Sequence, residues 1–274
     1  MVFSGLLLSY TATAQKMYRL NLETELTLTG VGVGATAAGL AIGRRIPKLT
    51  TADLALQQRE NIFFLDRPTT YWQSGNADRA STYLLKGATI APVMLLLDKR
   101  VRHEVLVISL MYVETFALTN GLTQLSKNIV KRSRPYTYNP AVPLLQKQER
   151  DARRSFFSGH TSVTASSCFF AARIWADYHP DSHWKPVVWT VAATIPAITG
   201  FLRMQAGRHF LTDVAVGYAV GATIGCWVPK LHKREELAKK GLSFYGSPQT
   251  IGLKWQFSRQ RDVLLPSSDS FSPI

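Results

Sequence analysis

Acidic residues are scarce in this chain of 274 residues: 18 Asp and Glu stand against 32 Lys and Arg, a formal net charge of +14. Such an imbalance points to an anionic partner, which is nucleic acid, an anionic membrane surface or a phosphorylated ligand. Nucleic-acid binders show a basic stripe interleaved with aromatics on a polar face. Here many basic residues lie at the ends of apolar segments, which argues against nucleic acid and for a membrane. Cysteine is nearly absent. Cys168 and Cys226 each sit inside an apolar run with no partner at metal-ligand spacing, so both read as packed thiols. Also missing are a long-period repeat and any clean apolar run of the roughly 20 residues that a spanning helix uses.

Six segments nevertheless read as largely apolar helices, at about 26–43, 81–97, 104–125, 160–177, 186–202 and 210–228. Lys86, Glu114 and Arg173 interrupt three of them, and the mean hydropathy is −0.01. A soluble helical domain therefore competes with a membrane bundle. Charge placement favours the membrane: "DKRVRHE" and "PKLHKREELAKK" follow the second and sixth segments and would face the cytoplasm. The ends of the third and fifth segments, and the starts of the fourth and sixth, then share the opposite side. Gly217, Gly221 and Gly225 recur every four residues, as do Gly30 and Gly34, then Gly39 and Gly43, a spacing that lets helices approach closely in lipid. No strand–turn–helix context surrounds them, which argues against a nucleotide-binding glycine loop. The expected fold is all-α, a membrane-embedded bundle of about six helices with its active site at helix ends on one side.

The flanks are expected to differ from this helical domain, which is assigned to residues 15–240. "MVFSGLLLSYTATAQ" ends in an Ala-x-Ala pattern, so residues 1–14 form a possible signal segment, although its start carries no Lys or Arg. An ordinary amphipathic segment is the competing reading. A cleaved signal would leave the N-terminus outside, and six further spans could not then return the C-terminus inside. Either the segment is not cleaved off, or the first apolar segment does not span. Residues 44–80 read as a surface helix plus loop. Over 241–274, "GLSFYGSPQTIGLKWQF" alternates as one or two short strands, and "LPSSDSFSPI" reads as a disordered tail.

Three clusters carry the chemistry. "KNIVKRSRP" closes the third segment with Lys127, Lys131, Arg132 and Arg134, and Pro135 marks where the helix has stopped. Taken alone it is a basic helix end suited to the macrodipole or to lipid headgroups. In "RRSFFSGHTSVTASS", Ser158 resembles an N-cap, Gly159 permits close backbone approach and His160 falls in the first turn, where free amides favour an anion. In "GFLRMQAGRHFLTDVAVGYAVG", His209 and Asp213 are four apart and share one helix face, with Arg203 six residues before the histidine. An aspartate so placed can fix one imidazole tautomer and leave the other nitrogen as a nucleophile. A metal site would need a third ligand at recognisable spacing, and none is supplied.

Read in chain order, these are Lys127-x6-Arg134-Pro135, Ser158-Gly159-His160 and Arg203-x5-His209-x3-Asp213. The pattern resembles the three-part signature of the type 2 phosphatidic acid phosphatase superfamily. Two positions depart from it: Phe157 stands where proline normally precedes Ser-Gly-His, and Leu202 where serine normally precedes the arginine. The resemblance implies metal-independent hydrolysis of a phosphate ester through a phosphohistidine, with no cofactor. It implies His209 as nucleophile, Asp213 as its orienting carboxylate and His160 as general acid. Lys127, Arg134, Arg203, the Ser158 hydroxyl and the Gly159 amide then bind phosphate oxygens. Lys131, Arg132, Arg153 and Arg154 are secondary candidates for the headgroup, against solvated lipid-facing charge.

The expected partners are the membrane and a phosphorylated lipid such as undecaprenyl pyrophosphate, lipid A or phosphatidate. The expected location is a bacterial inner membrane with a periplasm-facing site. A secreted soluble acid phosphatase and a vanadate-dependent haloperoxidase share the signature, and chain length and helix-end charges argue against the latter. A non-catalytic lipid-phosphate binder would need only the cations, so the two histidines and Asp213 argue against it.

Overall fold

A computed structural model describes residues 16–234 and the backbone of 242–247 and 250–255. The possible signal segment and the tail beyond residue 255 lie outside the described residues. Contacts divide the chain into two units, Met1–Lys233 and Arg234–Ile274. The second unit contains an antiparallel hairpin, β1 (Leu242–Ser247) with β2 (Thr250–Trp255), where the sequence alternates.

The first unit is helical. In chain order its described helices are α1 (Leu22–Gly43), α2 (Thr51–Ala55), α3 (Gly75–Met94), α4 (Lys99–Arg102), α5 (Val105–Val130), α6 (Leu144–Lys147), α7 (Gly159–Tyr178), α8 (Lys185–Gln205) and α9 (Leu211–His232). Six are long, and they match the six apolar segments. Capping fixes several starts: Asn21 accepts from the Glu23 amide, and Ser74 accepts from the Ala77 amide at 3.2 Å. Ser74 thereby begins α3 six residues before the first strongly apolar stretch. α5 stops as Pro135 requires, with Lys131 in the left-handed region at φ 52°. Residues 44–74 hold α2 and two short 3₁₀ turns.

Five of the six long helices are long and apolar enough to cross a bilayer: α1, α3, α5, α8 and α9 with their short extensions. Their outward faces expose Leu26, Val33, Leu106, Val113, Val191, Ile198 and Trp227, side chains suited to lipid. α7 is the exception for a physical reason. It packs against α3, α5, α8 and α9, and Thr161, Ser162, Thr164, Ser166 and Ser167 are buried along it. A helix enclosed by other helices need not be oily. Its hydroxyls bond across the bundle, Ser162 to Thr123 at 3.1 Å and Ser167 to Tyr112 at 2.9 Å.

Glycine spacing sets the closest contacts. An added Cβ at Gly217, Gly221 or Gly225 would collide with the Ser158, Ser162 or Ser166 carbonyl, so α9 lies backbone to backbone on α7. Along α1 the expected register is corrected. Gly30 and Gly34 face open space, whereas Gly32, Gly39 and Gly43 abut α5 at Ala117, Gln124 and Asn128. The first segment thus packs as a spanning-length helix. Its start returns beside the end of α9, where the Arg19 amide donates to the His232 carbonyl at 2.9 Å. The main apolar cluster, with Leu28, Val101, Ile108, Met111, Phe170, Ile174 and Val228, lies towards that end. Cys168 and Cys226 are both free thiols.

Candidate active site

At the other end of the bundle, four helix termini converge. The end of α5 and the turn after it carry Lys127, Arg132 and Arg134. The first turn of α7 carries Gly159 and His160, capped by Ser158, whose hydroxyl bonds Thr161 Oγ1 at 2.8 Å and the Thr161 amide at 3.4 Å. Arg203 ends α8, and His209 precedes α9, whose first turn holds Asp213. The turn joining α8 to α9 needs Gly207 at φ 66°, and its carbonyl accepts from the Tyr136 amide at 3.0 Å.

Arg134 is almost fully buried. It donates to the Asp151 and Arg208 carbonyls at 2.8 and 3.0 Å, pairs with the Asp151 carboxylate at 2.8 Å, and lies 3.4 Å from His209 Nε2. A guanidinium only donates, so Nε2 presents its lone pair there and Nδ1 carries the ring proton. Nδ1 faces Asp213, but at 3.7 Å this is ion-pair range rather than the expected hydrogen bond. The carboxylate of Asp213 is already occupied. It accepts from Arg132 at 2.6 Å, Ser155 at 2.5 Å and the Phe210 amide at 2.9 Å.

Burial holds the His209 imidazole well below its ordinary pKa, and the charges of Arg134, Lys127, Arg203 and His160 push the same way. The ring is therefore neutral near pH 7, as a nitrogen nucleophile must be. Asp151 behaves oppositely: burial raises its pKa, but Arg134 and Lys127 outweigh that and keep it ionised. His160 is half-buried on the next helix, with Nε2 3.3 Å from the Thr82 hydroxyl. The backbone of Gly159 faces Lys127, whose ammonium would stand 3.7 Å from an added Cβ.

All eight signature residues thus lie at one end of the bundle. Several of their partners were not legible in the sequence. Asp78, at the start of α3, pairs with both Arg203 and Arg208, the latter at 2.8 Å. Asp66 accepts from Arg132 at 2.7 Å and from the Thr212 amide and hydroxyl at 3.0 and 2.6 Å. Among the secondary candidates, Arg132 is committed to Asp66 and Asp213 and stacks over Phe210 at 4.1 Å. Arg153 reaches Asp53 at 3.6 Å, Arg154 bonds Gln124, and Lys131 is exposed. At the positions that depart from the signature, Phe157 is buried, and the Ser81 hydroxyl lies 3.4 Å from Arg203 beside Leu202. Around the cleft Lys127, Arg132, Arg134, Arg154, Arg203 and Arg208 face four carboxylates, Asp66, Asp78, Asp151 and Asp213. Lys127 has no ion pair among the described residues. Such an excess of buried cations makes an anion site.

Comparison with known proteins finds similarity over part of the chain. Over 102 residues the chain is 32% identical to the lipid A 4'-phosphatase of Porphyromonas gingivalis, covering 37% of this chain and 40% of that protein. Over 122 residues it is 30% identical to the probable diacylglycerol pyrophosphate phosphatase 1 of Schizosaccharomyces pombe, covering 39% and 44%. The matched stretch is thus under half the length of either relative. A transmembrane PAP2-type phosphatidylglycerolphosphate phosphatase from Bacillus subtilis aligns in structure with a TM-score of 0.43 and 21% identity, covering 76% of this chain and 92% of that one. Residues 108–236 match the model of the PAP2 superfamily, and that span contains Lys127, Arg134, Ser158, Gly159, His160, Arg203, His209 and Asp213. Over that stretch, just under half of its length, the chain is similar to the PAP2 superfamily.

Proposed function

We propose that this protein is an integral-membrane phosphatase that removes phosphate from a lipid phosphate or pyrophosphate through a phosphohistidine. The observation that carries the reading is the neutral His209, its Nε2 lone pair turned into a cleft where six cations face four carboxylates. The substrate's phosphoryl group supplies the missing negative charge. Lys127, Arg134 and Arg203, with the Gly159 amide at the start of α7, hold its non-bridging oxygens. His209 Nε2 attacks phosphorus while the bond to the leaving oxygen breaks. Before substrate binds, His160 is held neutral at a pKa of about 3 by burial and by Arg203 and Lys127. It takes up a proton as the phosphate dianion binds beside it and passes that proton to the leaving oxygen. Water then attacks the phosphohistidine, losing a proton to His160, and phosphate leaves with His209 restored. Asp213 stabilises the ring proton at Nδ1, and closing their 3.7 Å separation is part of the reaction's progress.

A lipid substrate is supported by the site's position at the end of a bundle with apolar outer faces, and by relatives named for lipid A and diacylglycerol pyrophosphate. Lys99, Arg100, Arg102, Lys230 and Lys233 mark the opposite end. Under the positive-inside rule that end is cytoplasmic, and in a bacterial inner membrane the site faces the periplasm. The test is a panel of prenyl pyrophosphate, phosphatidate and lipid A offered to detergent-purified protein. Release of phosphate from at least one, retained after chelation and lost in His209→Ala, is the expected result. Activity recovered in the soluble fraction without detergent would overturn the membrane reading. Phosphate-lipid binding without turnover would make the protein a binder.

A further inference from the structure

The end of the bundle remote from the phosphate cleft holds a second cluster of chemistry-bearing groups, which the proposed reaction leaves unused. His232, the last residue of α9, is fully buried, and its Nδ1 lies 2.8 Å from the Val228 carbonyl. Only an N–H can pair with a carbonyl, so Nδ1 is protonated and the neutral ring presents a lone pair at Nε2. That nitrogen faces two carboxylates, Glu25 Oε1 on α1 at 2.8 Å and Glu114 Oε2 on α5 at 3.4 Å. Glu114 is 1% exposed, yet neither of its oxygens has a hydrogen-bond partner. Glu25 Oε2 is likewise buried and unpartnered, while its other oxygen also takes the Asn21 amide at 3.4 Å.

Two carboxylates and an imidazole lone pair turned on one another repel unless positive charge sits between them. One shared proton closes a single contact, between the two carboxylates or between one of them and the imidazole, and leaves the third group facing a bare lone pair. One divalent ion answers all three groups. The three donor atoms lie within 4.8 Å of one another. Zinc binds histidine nitrogen and carboxylate oxygen at about 2.0–2.2 Å, which for a tetrahedral site separates ligands by about 3.3 Å. The Glu114 contact has that spacing, and the Glu25 contact needs to open by about half an ångström. The Nδ1–H bond to a backbone carbonyl is the usual outer-shell arrangement of a metal-bound histidine. Glu25, 14% exposed, leaves a route for the ion.

We propose that Glu25, Glu114 and His232 bind one divalent transition-metal ion, with Zn²⁺ favoured by the donors, that ties α1, α5 and α9 together at the end opposite the phosphate cleft. The site is structural and takes no part in hydrolysis.

The test uses the full chain in detergent, stripped with chelator and titrated with ZnCl₂. The wild type binds one equivalent, and its apparent Tm rises with the ion. Glu25→Gln, at the exposed rim and so least able to disturb folding, weakens binding at least about tenfold. Glu114→Gln and His232→Gln abolish it. Co²⁺ in place of Zn²⁺ gives a visible absorption band that Glu25→Gln loses. No stoichiometric binding by the wild type, or wild-type binding by Glu25→Gln and Glu114→Gln, overturns the proposal. A Tm that rises in Glu114→Gln without any ion identifies a shared proton instead. The two sites fail separately: His209→Ala abolishes turnover and keeps Zn²⁺ binding, while Glu25→Gln does the reverse.

Discussion

The two buried clusters of the helical bundle, one towards each end, are electrostatic opposites, although basic residues also mark the surface of the end remote from the cleft. At one end, α5, α7, α8 and α9 bring arginines and a lysine around a neutral histidine, with four carboxylates to balance six cations. At the other, Glu25, Glu114 and His232 meet with unsatisfied oxygens, and Glu104 accepts from the Tyr178 hydroxyl at 2.5 Å. Each buried cluster has the charge excess that its ligand would cancel. The difference teaches that buried charge in this fold is read best by its imbalance. A pair such as Arg173–Asp177, closed at 2.9 Å, asks for nothing further.

The sharpest way to break the comparison is at the phosphate end. His209→Ala removes the proposed nucleophile, and kcat should fall by about 10⁴-fold or more, since groups acting as a chemical unit cost this much. Phosphate release from the best lipid substrate measures it, and thermal unfolding in detergent checks that the fold survives. Lys127→Ala removes one clamp without breaking an ion pair. A lost preorganised donor costs about 3 kcal/mol, on the order of a hundredfold in kcat/KM. A loss below about threefold would place the phosphoryl group elsewhere, because the charge excess would then not be what binds it.

How much of this was legible beforehand follows from where the information lies. The eight signature residues could be read because phosphoryl transfer needs those residue types at helix ends, and helix ends leave marks such as Pro135 and the Ser158 cap. Their acidic partners could not. Asp78 meets Arg203 across 125 residues, from a polar stretch that looks like any loop. Glu114 read only as an interruption of an apolar segment, because its meaning depends on His232 and Glu25 two helices away. α7 read as one apolar segment among six, since periodicity shows that a helix has a buried face but not that it is enclosed all round. On α1 the Gly39–Gly43 pair meets α5 as its spacing implies, but Gly30, Gly32 and Gly34 lie within about one turn, and only packing decides that Gly32 is the one to meet α5.

A smaller effect tests whether Asp213 is held for His209 or merely buried near it. Arg132 joins Asp213 to Asp66 and contributes no atom to the cleft's clamps. Arg132→Ala should lower kcat by about tenfold while leaving KM nearly unchanged, as expected when a catalytic pair is displaced by a fraction of an ångström. Arg132→Lys restores part of the rate by keeping one bond to Asp213. An equal fall in binding would mean that Arg132 holds the substrate directly.

The smallest effect concerns stability, and its sign is fixed by the neutral imidazole. His209 has a folded-state pKa below its ordinary value of about 6.5, so between those two pH values the unfolded chain binds the extra proton. Stability from this group is therefore complete above about pH 6.5 and is lost as pH falls, at about 1.4 kcal/mol per unit until the folded-state pKa is reached. Asp151 does not contribute in this window, because its lowered pKa puts its loss below the ordinary carboxylate range. The apparent Tm of the wild type should fall between pH 7 and 5, and that of His209→Gln, which has nothing to titrate there, should fall less. Curves that stay parallel would mean that His209 is protonated in the folded protein. The cation-rich cleft would then hold one more charge, and an attacking lone pair would be missing.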